Sequence, residues 1–205
     1  MAHEGSTRHT ILEVADDLFA SRGYDAVSIR NIAASAGVAK AAVFYHFATK
    51  DDLHAAVLER YYRAHETALA EAHAPGDDLA ESLHRLLDAY LDFASDNVRY
   101  MRMVQRMVAG GGGDLAVVEG NLGVLLGAIE QAIAPITPAD GPLAARQFFV
   151  TLSGAVINYF TYAPALAAAW GQDPLGEAAV GERRAHLHWL VDVLLEGLES
   201  TVAPA

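Results

Sequence analysis

The chain has 205 residues, 53% of them hydrophobic, with no cysteine and a formal net charge of −12. That length fits one or two domains with a substantial core. The missing cysteines exclude a disulfide scaffold, a thiolate metal site and a cysteine nucleophile, and they fit a cytoplasmic location.

The composition is rich in Ala and Leu and predicts an all-α fold of about nine helices. The first runs from Thr7 to Ser21, with Ile11, Leu12, Ala15, Leu18 and Phe19 at helical spacing and Gly23 to end it. Ser28 caps a short second helix, Ile29 to Ser35, and Gly37 turns the chain into a third, Ala39 to Phe47. Thr49 caps a long fourth helix with Asp51 and Asp52 in its first turn, reaching about His73. Ala74-Pro75-Gly76-Asp77 breaks the chain. Helices follow at Leu79–Ser95, Val98–Val108 (stopped by the glycines from Gly110 to Gly113) and Leu115–Ile133. After a loop marked by Pro135, Pro138, Gly141 and Pro142, the eighth runs from Leu143 to Tyr162. Pro164, Gly171, Pro174, Gly176 and Gly181 punctuate an irregular stretch, and the ninth helix covers Glu182 to Ser200. No apolar run reaches the ~20 residues that span a bilayer. Near Met1 there is no basic run leading into an apolar stretch, so neither a membrane span nor a signal peptide is expected.

The charge is unevenly spread. Up to Leu53, the bases Arg8, Arg22, Arg30, Lys40 and Lys50 meet seven acids, so this part is nearly neutral and most of the acidity lies downstream. A few local cations can engage phosphates while an acidic body discourages nonspecific binding. A helix-turn-helix needs a small residue where the second helix packs on the first, a glycine at the turn, and a branched apolar residue facing back. Ala33, Gly37 and Val43 occupy those positions, and Ile32, Ala36, Val38 and Phe47 complete a small core. These three residues alone also suit an ordinary helical hairpin.

The wider context separates the two. The run from Tyr24 through Arg30 to Ala33, then Ala36-Gly37-Val38-Ala39-Lys40, then Phe44-Tyr45-His46-Phe47-Ala48-Thr49-Lys50-Asp51-Asp52-Leu53, resembles the tetracycline-repressor (TetR) family of bacterial regulators over the first quarter of the chain. The resemblance implies a helix-turn-helix DNA-binding domain over residues 1–50 and a helical ligand-binding and dimerisation domain over residues 51–205. It further implies a homodimer that binds a double-stranded, palindromic DNA operator as a repressor and is released by a small-molecule effector. Lys40, Ala41, Ala42, Tyr45 and His46 on the third helix would face the major groove or its walls. Arg30 would contact a base, and Ser28 and Lys50 would contact phosphates. The family often has Ser or Thr at 39, Thr at 42 and Tyr at 44. Here Ala39, Ala42 and Phe44 lack those hydroxyls, so Arg30, Lys40, Tyr45 and His46 carry most of the polar contacts, and Phe44 is expected in the core.

The remainder is less specific. Leu187, Leu190, Val191, Leu194, Leu195 and Leu198 form an apolar face with Trp189 beside it, and Ser153, Gly154 and Ala155 allow a close helix approach. These surfaces suit a dimer interface or the monomer's own core. Gln147, Thr151, Asn158 and Tyr162 fall near one face of an apolar helix and need partners, which a ligand, water or a second protomer can supply. Tyr100, Met103 and Met107, with Phe93, Phe148 and Tyr159, suit either core or a pocket for a mostly apolar effector with one or two polar anchors. Arg99, Arg102 and Arg106 read as a solvated face or as partners for an anionic ligand. Nine histidines show no pair at the four-residue helical spacing of zinc ligands. No nucleophile elbow or phosphate-binding loop is present, so no metal, cofactor or catalytic residue is expected. The rival readings are an all-α cytosolic enzyme and a regulator switched without a small molecule.

Overall fold

The computed structural model describes residues 2–72, 78–110 and 115–202, and every regular element among them is helical. In order these are α1 (Ala2–Arg22), α2 (Ile29–Ser35), α3 (Lys40–His46), α4 (Lys50–Ala72), α5 (Leu79–Asp96), α6 (Val98–Gly110), α7 (Leu115–Ile133), α8 (Ala145–Trp170) and α9 (Glu177–Val202), with a 3-10 turn at Ala134–Ile136. The break expected at Ala74-Pro75-Gly76-Asp77 and most of the glycine run, Gly111 to Gly113, lie outside the described residues.

Local chemistry sets the first bounds. Gly23 takes φ +80° after α1 and Gly37 takes φ +67° after α2, a backbone region that side chains with a Cβ disfavour. Ser28 and Asn31 form a reciprocal cap on α2. The Asn31 amide donates to Ser28 Oγ (3.2 Å) and the Ser28 amide donates to Asn31 Oδ1 (2.9 Å). Thr49 and Asp52 repeat the device on α4, at 2.9 and 3.0 Å.

Several bounds differ from the sequence expectation, beginning with α1, which starts at Ala2 rather than Thr7. α6 includes Gly110 rather than stopping before it. α8 continues through Pro164 to Trp170 and ends at Gly171 in the left-handed conformation. Pro164 is exposed, so its ring meets little, and only the amide that would bond the Phe160 carbonyl is lost. α9 starts at Glu177 and takes in Gly181, because the Val180 amide already bonds the Gly176 carbonyl at 3.0 Å.

The chain divides into two compact units, Met1–Ala64 with Arg99–Val117, and His65–Val98 with Val118–Ala205. The core of the first is built from Ile11, Ala15 and Phe19 of α1, Ile32 and Ala33 of α2, Val43 of α3, and Leu53, Val57 and Leu58 of α4. The core of the second comes from Leu87 and Leu91 of α5, Val156 and Phe160 of α8, and Leu187, Val191 and Leu198 of α9. Arg184 of α9 is hydrogen-bonded to Asp92 and, at 2.6 Å, to Asp88, both on α5.

Candidate nucleic-acid interface

In the first unit α2 and α3 meet across the Gly37 turn. Ala33 is 4% exposed and Val43 0%, so the small residue and the branched residue pack where a helix-turn-helix needs them. Ile32 and Phe47 are buried with them, while Ala36 and Val38 are half-buried. Val43 is the single buried residue of α3, which leaves most of this short helix facing outward.

That outward surface holds most of the expected contact residues. Arg30, Lys40 and Ala41 are exposed, and Tyr45 stands 74% exposed with its ring edge-on to His46 at 5.1 Å. Ala42, His46 and Lys50 are half-buried. Phe44 corrects the sequence expectation. It is 44% exposed rather than in the core, because Val43 and Phe47 already fill the inward side of α3. The Lys40 ammonium lies 5.4 Å from the Phe44 ring centre, so the ring that lacks a hydroxyl instead carries a cation. Lys50 is held in the same way, 3.8 Å from the Tyr24 ring centre, and the Tyr24 hydroxyl donates to Asp51. Tyr24 is thus a support for Lys50 that the motif spacing alone does not reveal, because the contact depends on how the α1–α2 turn meets α4. Ser28 has a more local task than expected. Its hydroxyl and its amide both donate to Asn31, so a phosphate would compete with Asn31 for the hydroxyl proton.

The same unit ties α1 to α4 and α6. Arg60 Nη1 reaches Glu13 at 2.6 Å, Arg99 pairs with Asp17, and Arg106 Nη1 donates to the Ala20 carbonyl at 2.6 Å. Arg99 and Arg106 therefore have partners on α1 and are not simply a solvated face. Asp16, 4% exposed, accepts from the Tyr61 hydroxyl. Burial raises the Asp16 carboxyl above the ordinary carboxylate range, and the Tyr61 bond only partly counters it. Tyr61 stacks on Tyr100 at 4.7 Å.

The residues expected to bind an effector do not form one cluster. Tyr100, Met103 and Met107 belong to the first unit; Phe93, Phe148 and Tyr159 are buried in the second. Gln147, Thr151, Asn158 and Tyr162 were expected on a buried face, but all four are exposed. They share a helical stripe, yet α8 turns its aromatic stripe, Phe148, Phe149, Leu152 and Val156, to the core instead. Thr151, Asn158, Tyr159 and Tyr162 do line an open groove of about 610 Å³ between α8 and α9, together with Trp170 and Arg183. The interior of the second unit has much smaller voids. One of about 40 Å³ is walled by Leu69, Leu83, Leu87, Tyr90, Leu152 and Ser153, and one of about 20 Å³ adjoins it through Leu83 and Leu152. His65 packs its ring 4.6 Å from Phe93 and 5.2 Å from Tyr90, the latter a residue of the larger void's wall. Its Nε2 is buried without a hydrogen bond, and burial lowers the imidazole to about 4. Among the described residues no group of three or more His, Cys, Asp and Glu side chains is placed to hold a metal ion. No helix among them is long and apolar enough to cross a membrane.

Comparison with known proteins agrees with this geometry. The family model described as bacterial regulatory proteins, tetR family, matches residues 11–57. The HTH-type transcriptional repressor Rv3405c of Mycobacterium tuberculosis is 44% identical over 88 residues, 39% of this chain and 46% of that protein. The HTH-type transcriptional activator FasR of Mycolicibacterium smegmatis is 30% identical over 97 residues, 47% of this chain and 44% of its own length. The chain thus spans about half the length of the curated relatives it matches. The fold is shared more widely. A TetR-like transcriptional regulator from Rhodococcus sp. RHA1 superposes with a TM-score of 0.66 at 23% identity, over 93% of this chain and 96% of that one. AibR, solved in complex with isovaleryl coenzyme A and operator DNA, superposes with a TM-score of 0.69 at 17% identity, over 90% and 97%. Residues 11–57 thus match the module of the tetR family of bacterial regulatory proteins, and the all-helical fold is shared with TetR-like regulators over most of the chain.

Proposed function

We propose that this chain is a sequence-specific DNA-binding transcriptional repressor that leaves a palindromic operator when a small apolar effector binds. The observation that carries the reading is α3: Val43 anchors it, and Lys40, Ala41, Phe44 and Tyr45 present an exposed face beside Arg30 of α2. Arg30 reads a guanine through two acceptors, Ala41 or Ala42 meets a thymine methyl, and Lys40, Tyr45, His46 and Lys50 contact the backbone or groove walls. Ser28 keeps α2 capped and gives a phosphate contact only when its hydroxyl turns from Asn31. Residues 1–50 form the DNA-binding domain and residues 51–205 the effector and dimerisation domain.

The dimer is assigned to α8 and α9. Val150, Tyr162 and Trp170 of α8 and Trp189 and Val193 of α9 are large apolar side chains more than 40% exposed, a surface that favours a second protomer. The effector is assigned to the apolar interior of the second unit, where Leu69, Leu83, Leu87 and Leu152 supply the wall and Tyr90 and Ser153 the polar anchors. Voids of about 40 and 20 Å³ hold no drug-sized molecule, so binding opens them. That opening is how the effector changes the spacing of the two DNA-binding domains. Such a dimer acts in the cytoplasm, where its DNA is.

Selection from random duplexes tests the reading. The chain should enrich twofold-symmetric sites, bind them with an affinity that falls steeply with salt, and lose them when Arg30 and Lys40 are both changed to Ala. Absence of any enriched sequence at moderate salt sinks it.

A further inference from the structure

The first unit contains a cavity of about 650 Å³ that the proposed function does not use. It lies between the end of α1, the α1–α2 turn, the first turns of α4 and the second half of α6. Its size falls in the ~300–1,000 Å³ range of small-molecule pockets, unlike the voids inside the second unit. Phe19 (1% exposed), Met103 and Met107 give it an apolar wall, and methionines adapt their shape to a guest. Phe19, Tyr24 and His54 pack as rings with centroids 4.8–5.8 Å apart, so this wall is firm.

The polar side carries two guanidinium groups. Arg106 is held at the Ala20 carbonyl, two residues before Arg22, and that bond uses one N–H of its five. Arg22 and Arg106 are both exposed, so their remaining donors face water or a guest. Two acids also line the cavity. Asp51 accepts the Tyr24 hydroxyl, the Lys50 ammonium lies over the same ring, and Asp25 is exposed in the turn. The acid nearest the ring cluster is therefore already engaged.

We propose that this cavity binds a small organic monoanion, its apolar body against Phe19, Met103 and Met107 and its carboxylate at Arg22 and Arg106. A guanidinium fork matches a carboxylate with two parallel hydrogen bonds, which a neutral isostere cannot reproduce. Because Tyr24 also carries Lys50, an occupied cavity reaches a residue assigned to phosphate contact. That consequence rests on the DNA-binding reading, and the binding site itself does not.

Titration calorimetry on the full chain without DNA tests it, with 2-naphthoate as probe and 2-naphthamide as the neutral isostere. The expected result is saturable binding of one naphthoate per chain, at least tenfold tighter than the amide. Arg22→Gln, at an exposed position where folding is not at stake, should weaken naphthoate at least fivefold and leave the amide unchanged. Met107→Trp, which fills the cavity, should abolish both. No binding at millimolar probe, equal affinity for acid and amide, or no effect of Arg22→Gln overturns the proposal. So does loss of naphthoate binding on Leu87→Phe in the second unit with Met107→Trp harmless, a result that would still leave the effector reading standing.

Discussion

Two cations, Arg30 on α2 and Lys40 at the start of α3, illustrate what the proposed function asks of single residues. Arg30 has a planar fork suited to one guanine, whereas Lys40 is a point charge steadied by the Phe44 ring 5.4 Å away. Arg30→Ala should therefore cost ~1–3 kcal/mol of binding and relax preference at one base pair. Lys40→Ala should weaken all sequences alike and reduce the salt slope by ~1. Fluorescence anisotropy on the selected site and single-base variants of it, over a salt series, separates the two; equal loss of discrimination in both variants would refute the assignment. A different residue governs acid stability. His65 is lowered by burial to about 4 from an ordinary value of 6.5. Between those values the unfolded chain binds a proton that the folded chain refuses, so the neutral imidazole's stability is fully present above about 6.5. It is lost as pH falls toward 4, by up to about 3 kcal/mol. His65→Phe keeps a ring beside Phe93 and removes the orphaned Nε2. Urea denaturation of this variant at pH 7 and pH 5 should show a smaller acid loss than the parent, and an unchanged loss would point to other groups.

At the scale of elements, the helices differ in how plainly their bounds are written. α2 is legible to the residue because Ser28 and Gly37 each act within one turn. The φ of +67° at Gly37 is a backbone requirement, and a cap is a short-range hydrogen bond. The end of α8 is not legible, because the rule that proline stops a helix competes with continued packing around it. Phe160 and Ala163, just before Pro164, are buried and hold that part of the helix against the core. Phe44 and the polar stripe of α8 fail for a related reason. Periodicity places residues on a common face, but it does not say which of two faces meets the core when both carry apolar groups. The proline makes a direct prediction. Pro164 is exposed, so Pro164→Ala removes little packing and restores an amide to the Phe160 carbonyl. It should raise stability by ~1–3 kcal/mol in urea denaturation. A fall instead would show that the proline is held by a surface the lone chain leaves open.

For the whole molecule, the proposed function raises the question why one copy of the seven-residue α3 would not be enough. α3 offers few polar groups, since Ala41, Ala42 and Phe44 stand among its seven residues. Two copies on half-sites about 34 Å apart multiply that limited discrimination, provided the protomers are fixed to one another. The apolar side chains that α8 and α9 leave exposed are the means assigned to fixing them, and Trp189 is 57% exposed among them. Trp189→Glu puts a charge where the partner's apolar surface would lie, while in a single chain the same carboxylate is solvated. The variant should therefore melt close to the parent, sediment as a monomer where the parent is a dimer, and bind a two-half-site duplex no more tightly than a single half-site. Sedimentation equilibrium alongside the anisotropy titration checks both consequences. A variant that stays dimeric would move the interface away from this face of α9. A parent that is monomeric yet holds the full operator would remove the need for a dimer altogether.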